Sequence, residues 1–259
     1  MMVYEGKNIV DYDDIEGIQS HTTLWGSYYR GLSSTKHTLL PSLTREIRNA
    51  ENAMKAEQYI WERITTNKTI CDFFKYPIEG KTRRQEWELA LLCRHSGILS
   101  RIVDFTPTTK IACWFASIEN ENEDGVLWEM VIPESIRYGV PYEDFPLPCE
   151  MEGTKFFRST IIGRGEDTFN SKAERNVLYQ NSFSFVQSME NAVVPLEKQN
   201  INEIKLIRYR IPSISKRIII NEMKNFEVAR KYPDFVYAED DIIKNEIDKI
   251  NAEVREQFA

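Results

Sequence analysis

The chain has 259 residues, 42% hydrophobic and 28% charged, with a formal net charge of −7; this is a globular composition able to bury a sizeable core, not a disordered or fibrous one. The negative balance argues against a broad electrostatic grip on nucleic acid and leaves room only for a local basic groove. Four scattered cysteines with no C-x-x-C pair, three histidines and no run of roughly 20 apolar residues disfavour a disulfide scaffold, a metal site and a membrane span, so a cytoplasmic protein without metal is expected.

Residues 1–24 are polar, with neither a basic start nor an apolar run, and predict a strand or arm leading in. From Trp25 to Leu32 bulky and small residues alternate up to Arg30 and Gly31, predicting a strand that ends at a glycine turn. An arginine there either meets a phosphate bidentately or is a plain surface residue. Leu43, Ile47, Ala50, Met54 and then Trp61 or Ile64 keep a helical period, predicting one amphipathic helix from Ser42 to Ile64. Residues 65–81 are expected to be loop. Thr82 and Gln85 form a capping box that opens a second, largely buried helix, and that helix delivers His95.

Ile102 and Val103 lie between Arg101 and Asp104, so a short buried strand carries a charge at each end, and the pair is expected to bridge when no ligand is present. Thr106 and Pro107 then predict an N-cap followed by proline at the first helical position, with Ile111, Ala112, Phe115 and Ile118 at helical spacing. Such a strand-to-helix turn can bind an anion, although most turns of this kind are structural. Further strands are expected over 126–132, 156–165 in part, 183–186 and 203–211. Helices are expected from Ser213 to Met223 and over 239–258, the latter docked on its own domain. Regular βαβ rhythm and a G-x-G-x-x-G fingerprint are absent, so the fold class is α+β, a mostly antiparallel central sheet surrounded by helices.

The run RHSGILSRIVDFT from Arg94 to Thr106, followed by Ala112 and by Phe115 and Ala116, resembles the central motif of the FRG domain family. Tyr29, Arg30 and Gly31 with the later LPSL, Arg175 with Gln180, Asn181, Ser182 and Phe183, and the YPDF at Tyr232 resemble its other blocks in the family's order. The chain is therefore expected to be a single FRG domain over 1–259, with its motif core about 25–247. Arg94 stands where the family has glutamine, Leu99 where it has proline and Asn181 where it has glycine. Asparagine suits that last position if positive φ is needed there.

FRG domains are similar in turn to ADP-ribosyltransferases, and the resemblance implies an ADP-ribosyltransferase-like sheet that takes NAD as its substrate. It assigns Arg30, Gln180 and Asp104 to catalysis, and Arg30, Gly31, His95, Gly97, Ser100, Arg101, Thr106, Arg175 and Phe183 to binding the dinucleotide. Gln180 occupies the place of the expected glutamate, with Asp104 as a substitute carboxylate. The implied biology is a bacterial toxin or anti-phage effector that modifies a nucleic acid or a protein and is kept in check by an antitoxin or regulatory protein. The alternative is a non-catalytic module that binds a nucleotide or nucleic acid in the same groove. On either reading Arg30, His95, Arg101, Asp104 and Gln180 are expected to share one cleft.

Overall fold

The computed structural model of the protein describes all residues except 1, 23–25, 78, 134–136, 139–144, 152, 160–176, 178–179, 200, 202 and 224–240. In chain order its elements are β1 (Met2–Glu5), α1 (Tyr12–Thr22), β2 (Ser27–Leu32), α2 (Ser42–Glu46), α3 (Ala50–Thr66), α4 (Lys68–Phe74), α5 (Arg83–His95), β3 (Val103–Phe105) and α6 (Thr109–Ser117). There follow β4 (Gly125–Val131), β5 (Arg137–Tyr138), β6 (Lys155–Arg158), β7 (Phe183–Val186), α7 (Met189–Ala192), β8 (Lys205–Ile211), α8 (Ser213–Met223) and α9 (Asp241–Phe258). Helices and mixed sheets make this an α+β fold of two compact units. The first unit is assembled from residues 1–39, 104–137 and 195–236, the second from 40–103, 138–194 and 237–259.

The first unit is built on a sheet of order β1-β8-β4-β2, in which β1 runs parallel to β8 and the other pairs are antiparallel. Ile15 and Ile18 of α1, Ile111 and Ala112 of α6 and Ile219 and Met223 of α8 share a core with Tyr29, Leu127 and Ile211 of the sheet. Residues 1–24 were expected to form a strand or arm; β1 is such a strand, and helix α1 follows it. Asp11 accepts the Asp14 amide at 3.0 Å, and Asp13 and Asp14 occupy the first turn; the acidic run is thus a helix start, stabilised by cap and dipole. Its apolar stripe is too narrow to announce a helix.

Helix α6 starts later than Thr106 and Pro107 suggested, with Thr108 as N-cap and no side-chain cap bond. Thr106 instead extends the sheet: Tyr29 N donates to Thr106 O at 2.7 Å and Thr106 N to Tyr29 O at 2.9 Å. Ladder pairing, which satisfies both backbone groups, outweighs the local cap signal. Lys216 on α8 is 1% exposed, its ammonium giving hydrogen bonds to Ser33 O at 2.6 Å and to Glu119 O and Asn120 O at 3.0 Å. Burial lowers its pKa, while three carbonyl dipoles match its three donors.

In the second unit α3 and α9 pack around a core of Ile60, Ile64, Leu89, Leu92, Ile247 and Val254, among others, beside the antiparallel pair β6 and β7. Two helices replace the one expected from Ser42 to Ile64. Ile47 is extended, and Asn49 restarts the chain by accepting the Asn52 amide at 2.9 Å. Asn67 does the same for α4 within the expected loop, accepting from Ile70 N at 3.1 Å. The capping box of α5 forms as expected: Thr82 N donates to Gln85 Oε1 at 2.9 Å and Gln85 N to Thr82 Oγ1 at 3.3 Å. Asn181, before β7, has φ of +45°, the left-handed backbone anticipated for it.

Candidate functional site

The expected site residues fall into two groups, one in each unit. In the first unit, β2 carries Arg30 on one sheet face and Gly31 on the other. A Cβ on Gly31 would lie 1.7 Å from Ala112 O and 2.7 Å from Ala116 N, so the backbone of α6 rests directly on the strand there. That contact turns Arg30 to the opposite face. Its half-buried guanidinium donates from Nη1 to Asp104 O at 2.6 Å, which fixes one edge of the fork. In register, Arg30 pairs with Trp128 of β4, Trp128 with Arg208 of β8, and Arg208 with Glu5 of β1, which it also meets at 3.5 Å. The Trp128 indole N–H is buried and meets no acceptor among the described residues, an arrangement that costs free energy unless one is supplied.

Thr106 is buried beside this group, its hydroxyl accepting the Thr108 amide at 3.2 Å. The anion site expected at the start of α6 already has an occupant: Gln19 Oε1 accepts from Thr109 N and from Thr109 Oγ1, both at 2.8 Å. A side-chain carbonyl satisfies the first amide that an anion would have used.

The same sheet holds a carboxylate that the sequence did not single out. Glu129, 2% exposed, accepts from Ser27 Oγ at 2.6 Å and Tyr209 Oη at 2.7 Å. Burial and this bond raise the Tyr209 phenol well above its ordinary value. Glu129 pairs in register with Tyr29 and lies on the face that α6 covers, as Leu127 and Gly125 do. The sheet therefore separates it from Arg30.

The second unit holds His95, Gly97, Ser100, Arg101, Gln180 and Phe183. Arg101 does not bridge to Asp104 as expected. Its side chain is 2% exposed and pairs with Glu57 of α3, Nη2 to Oε2 at 2.9 Å and Nε to Oε1 at 3.3 Å, while Nη1 donates to Met151 O at 3.2 Å and Gln187 O at 2.9 Å. Glu57 lies on the buried stripe of α3 with Ala53, Ile60 and Ile64, so the helix brings a carboxylate to the cation from within. Burial raises the Glu57 pKa and Arg101 opposes the rise. Nearby, burial and then Glu57 push the Cys149 thiol up to about 11. A cavity of about 30 Å³ beside Glu57, lined also by Trp61, Leu99, Ser100 and Cys149, has the room of a water molecule rather than of a nucleotide.

Ser100 is also engaged internally, its amide donating to Ser42 Oγ at 3.0 Å and its hydroxyl accepting from Ile102 N at 3.1 Å. His95 ends α5 half-buried, and Gly97 follows with φ of +100°. Asn251 of α9 brackets that loop, accepting from Leu99 N at 2.9 Å and donating to Gly97 O at 3.0 Å. Gln180 is half-buried in the turn before β7, and Phe183 stacks on Phe156 with centroids 5.5 Å apart. Arg175 and the YPDF block at Tyr232 lie outside the described residues.

Among the described residues no group of three or more His, Cys, Asp or Glu side chains is placed to hold a metal ion. None of the described helices is long and apolar enough to cross a membrane. Of the residues missed from sequence, Glu57 and Lys216 each had a visible signal, a charge on the apolar stripe of its helix; Trp128 and Glu129 had none, because β4 is buried on both faces.

Compared with known proteins, residues 26–125 match the family model of the FRG domain. No curated protein and no solved structure matches the chain.

Proposed function

The chain carries an FRG domain, and from that premise we propose that it binds NAD against the Arg30 face of the first unit's sheet and acts as an ADP-ribosyltransferase-like enzyme on a macromolecular acceptor. The observation that carries this reading is Arg30 itself. It is a half-buried guanidinium held at one edge by the Asp104 carbonyl, in register with the buried N–H of Trp128. A fork preset by main chain loses little freedom on gripping a diphosphate, and planar bidentate donation suits phosphate oxygens.

In the reaction the bond between C1′ of the ribose and the nicotinamide nitrogen breaks. Nicotinamide leaves with the electron pair, and an acceptor nucleophile bonds to C1′ as it gives up its proton. Positive charge develops on the sugar, so a carboxylate nearby would accelerate the step. A second reading, a module that binds NAD without turning it over, is favoured by the direction of Glu129, which faces away from Arg30, and by the neutral amide of Gln180. Lack of one preorganised electrostatic contact costs on the order of 10²–10³ in rate.

Nicotinamide release from NAD by the purified protein tests the first reading. Turnover in the wild type that falls at least about 100-fold in Arg30→Ala, with an unchanged thermal melt, supports it. NAD binding without release establishes the second reading, and no NAD binding at millimolar ligand removes both.

A further inference from the structure

Lys216 is a buried cation that the proposed chemistry does not use, and three main-chain oxygens converge on it. Its ammonium donates to Ser33 O at 2.6 Å and to Glu119 O and Asn120 O at 3.0 Å. Ser33 follows β2, three residues after Arg30, and Glu119 and Asn120 follow the end of α6. One side chain therefore ties the exit of the Arg30 strand to the end of the helix that rests on that strand at Gly31. A second tie runs alongside, from Asn120 Nδ2 to Ser33 Oγ at 2.9 Å, with Asn120 in left-handed backbone at φ of +51°.

The lysine is held from behind. Asp124 Oδ1 accepts the Ser213 amide at 2.8 Å at the start of α8, and Ile219 and Met223 of that helix lie in the core, so the helix is a fixed post. The stem is confined as well: a Cβ on Gly125 would lie 3.1 Å from Lys216 Cε and 2.4 Å from Ala116 O. Three carbonyls around one point call for three donors, and an ammonium supplies them where an uncharged side chain offers two at most. A cation beside the last carbonyls of α6 is also favoured by the helix dipole. On the opposite face of β2, the bond from Arg30 Nη1 to Asp104 O at 2.6 Å requires the strand to stay beside Thr106, to which Tyr29 N donates at 2.7 Å.

We propose that Lys216 is a positioning residue for the Arg30 site: its ammonium pins the exit of β2 to the end of α6, and the pinned strand presets the guanidinium that grips the diphosphate of NAD. This rests on the reading that Arg30 binds NAD. Every residue of the clamp belongs to the first unit. Loss of the ammonium leaves three carbonyls without their shared donor, lets the strand end lift from α6, and makes ligand binding bear the cost of ordering Arg30.

The test compares wild type, Arg30→Ala and Lys216→Met, which keeps the stem and removes the donors, by NAD binding, amide hydrogen exchange and thermal melts. Folded Lys216→Met is expected to bind NAD about tenfold more weakly. Its amides in 27–32 and in the last turn of α6 are expected to exchange about tenfold faster, with those of α3 in the second unit unchanged. Arg30→Ala is expected to lose binding with exchange in β2 unchanged, which separates the group that touches the ligand from the one that holds it. A merely structural lysine shifts melts and exchange and leaves binding alone, so equal affinity of wild type and folded Lys216→Met overturns the proposal. If the wild type binds no NAD at millimolar ligand, the Arg30 reading fails by itself and exchange decides the clamp: unchanged rates in β2 overturn it, and faster rates there sustain the pinning of the strand. Should Lys216→Met unfold, Lys216→Gln, with two donors, takes its place; if neither folds, Lys216 is structural alone and the proposal falls.

Discussion

Arg30 and Arg101 look alike in the sequence, each at the end of a short apolar stretch, yet the structure treats them in opposite ways. Arg101 is 2% exposed and committed to a carboxylate and two carbonyls, so it ties α3 to Met151 and to Gln187, the residue after β7. Arg30 is half-buried, with one edge set by a carbonyl. A buried arginine joining several segments is a structural hub, because every donor must be matched inside. Arg30, oriented by main chain at a sheet face, is the one proposed to meet a ligand. The two must therefore fail differently when altered.

The largest effect is expected from Glu57→Ala. It strands the Arg101 charge in the interior and should cost about 3–5 kcal/mol of stability, read by urea titration. A loss under about 1 kcal/mol would mean that Arg101 finds water or another acceptor, and the contrast with Arg30 would collapse. Next comes Gly31→Ala, which pushes a methyl group into the backbone of α6 and should cost about 3 kcal/mol. It sharpens the comparison from the other side: if the strand shifts to make room, Arg30 loses its bond to Asp104 O and NAD binding falls with stability, whereas Arg30→Ala should reduce binding alone.

These expectations also mark how much was legible beforehand. Arg30 could be singled out because a glycine follows it, and that glycine proves to be where α6 touches β2. Helix α5 and strand β7 were legible because their signals are local, a capping box in one case and an alternating apolar run between turns in the other. Arg101 was assigned to Asp104, three residues away, when its partner is 44 residues away on helix α3. Nothing in a local pattern reports such a pairing except the oddity of a glutamate on an apolar stripe. Helices α1 and α4 were hidden for a related reason: an aspartate or asparagine cap starts each one, and such caps are hard to tell from loop polarity when the apolar face behind them is short.

The smallest effect concerns pH. Asp124 accepts the Ser213 amide at 2.8 Å and pairs with Arg210, and these hold its carboxyl below the ordinary 3.8, the amide bond being the larger cause. Because the folded value is the lower one, the stabilisation is present above the unfolded value and is lost as pH falls through the folded value. Between pH 5 and pH 3 the wild type should lose slightly more stability than Asp124→Asn, as read by thermal melts. Parallel curves for the two proteins would remove Asp124 from the account.

The grip of Asn251 on residues 97–99 has a consequence in time. Leu99 and its acceptor are separated by 152 positions, which at a synthesis rate of roughly 5–20 residues per second is on the order of 8–30 s on the ribosome. Throughout that interval the loop after His95 has been made but lacks the carboxamide that brackets it. A newborn chain therefore carries its central motif unset until α9 arrives, and a quality-control protease has that long to find it.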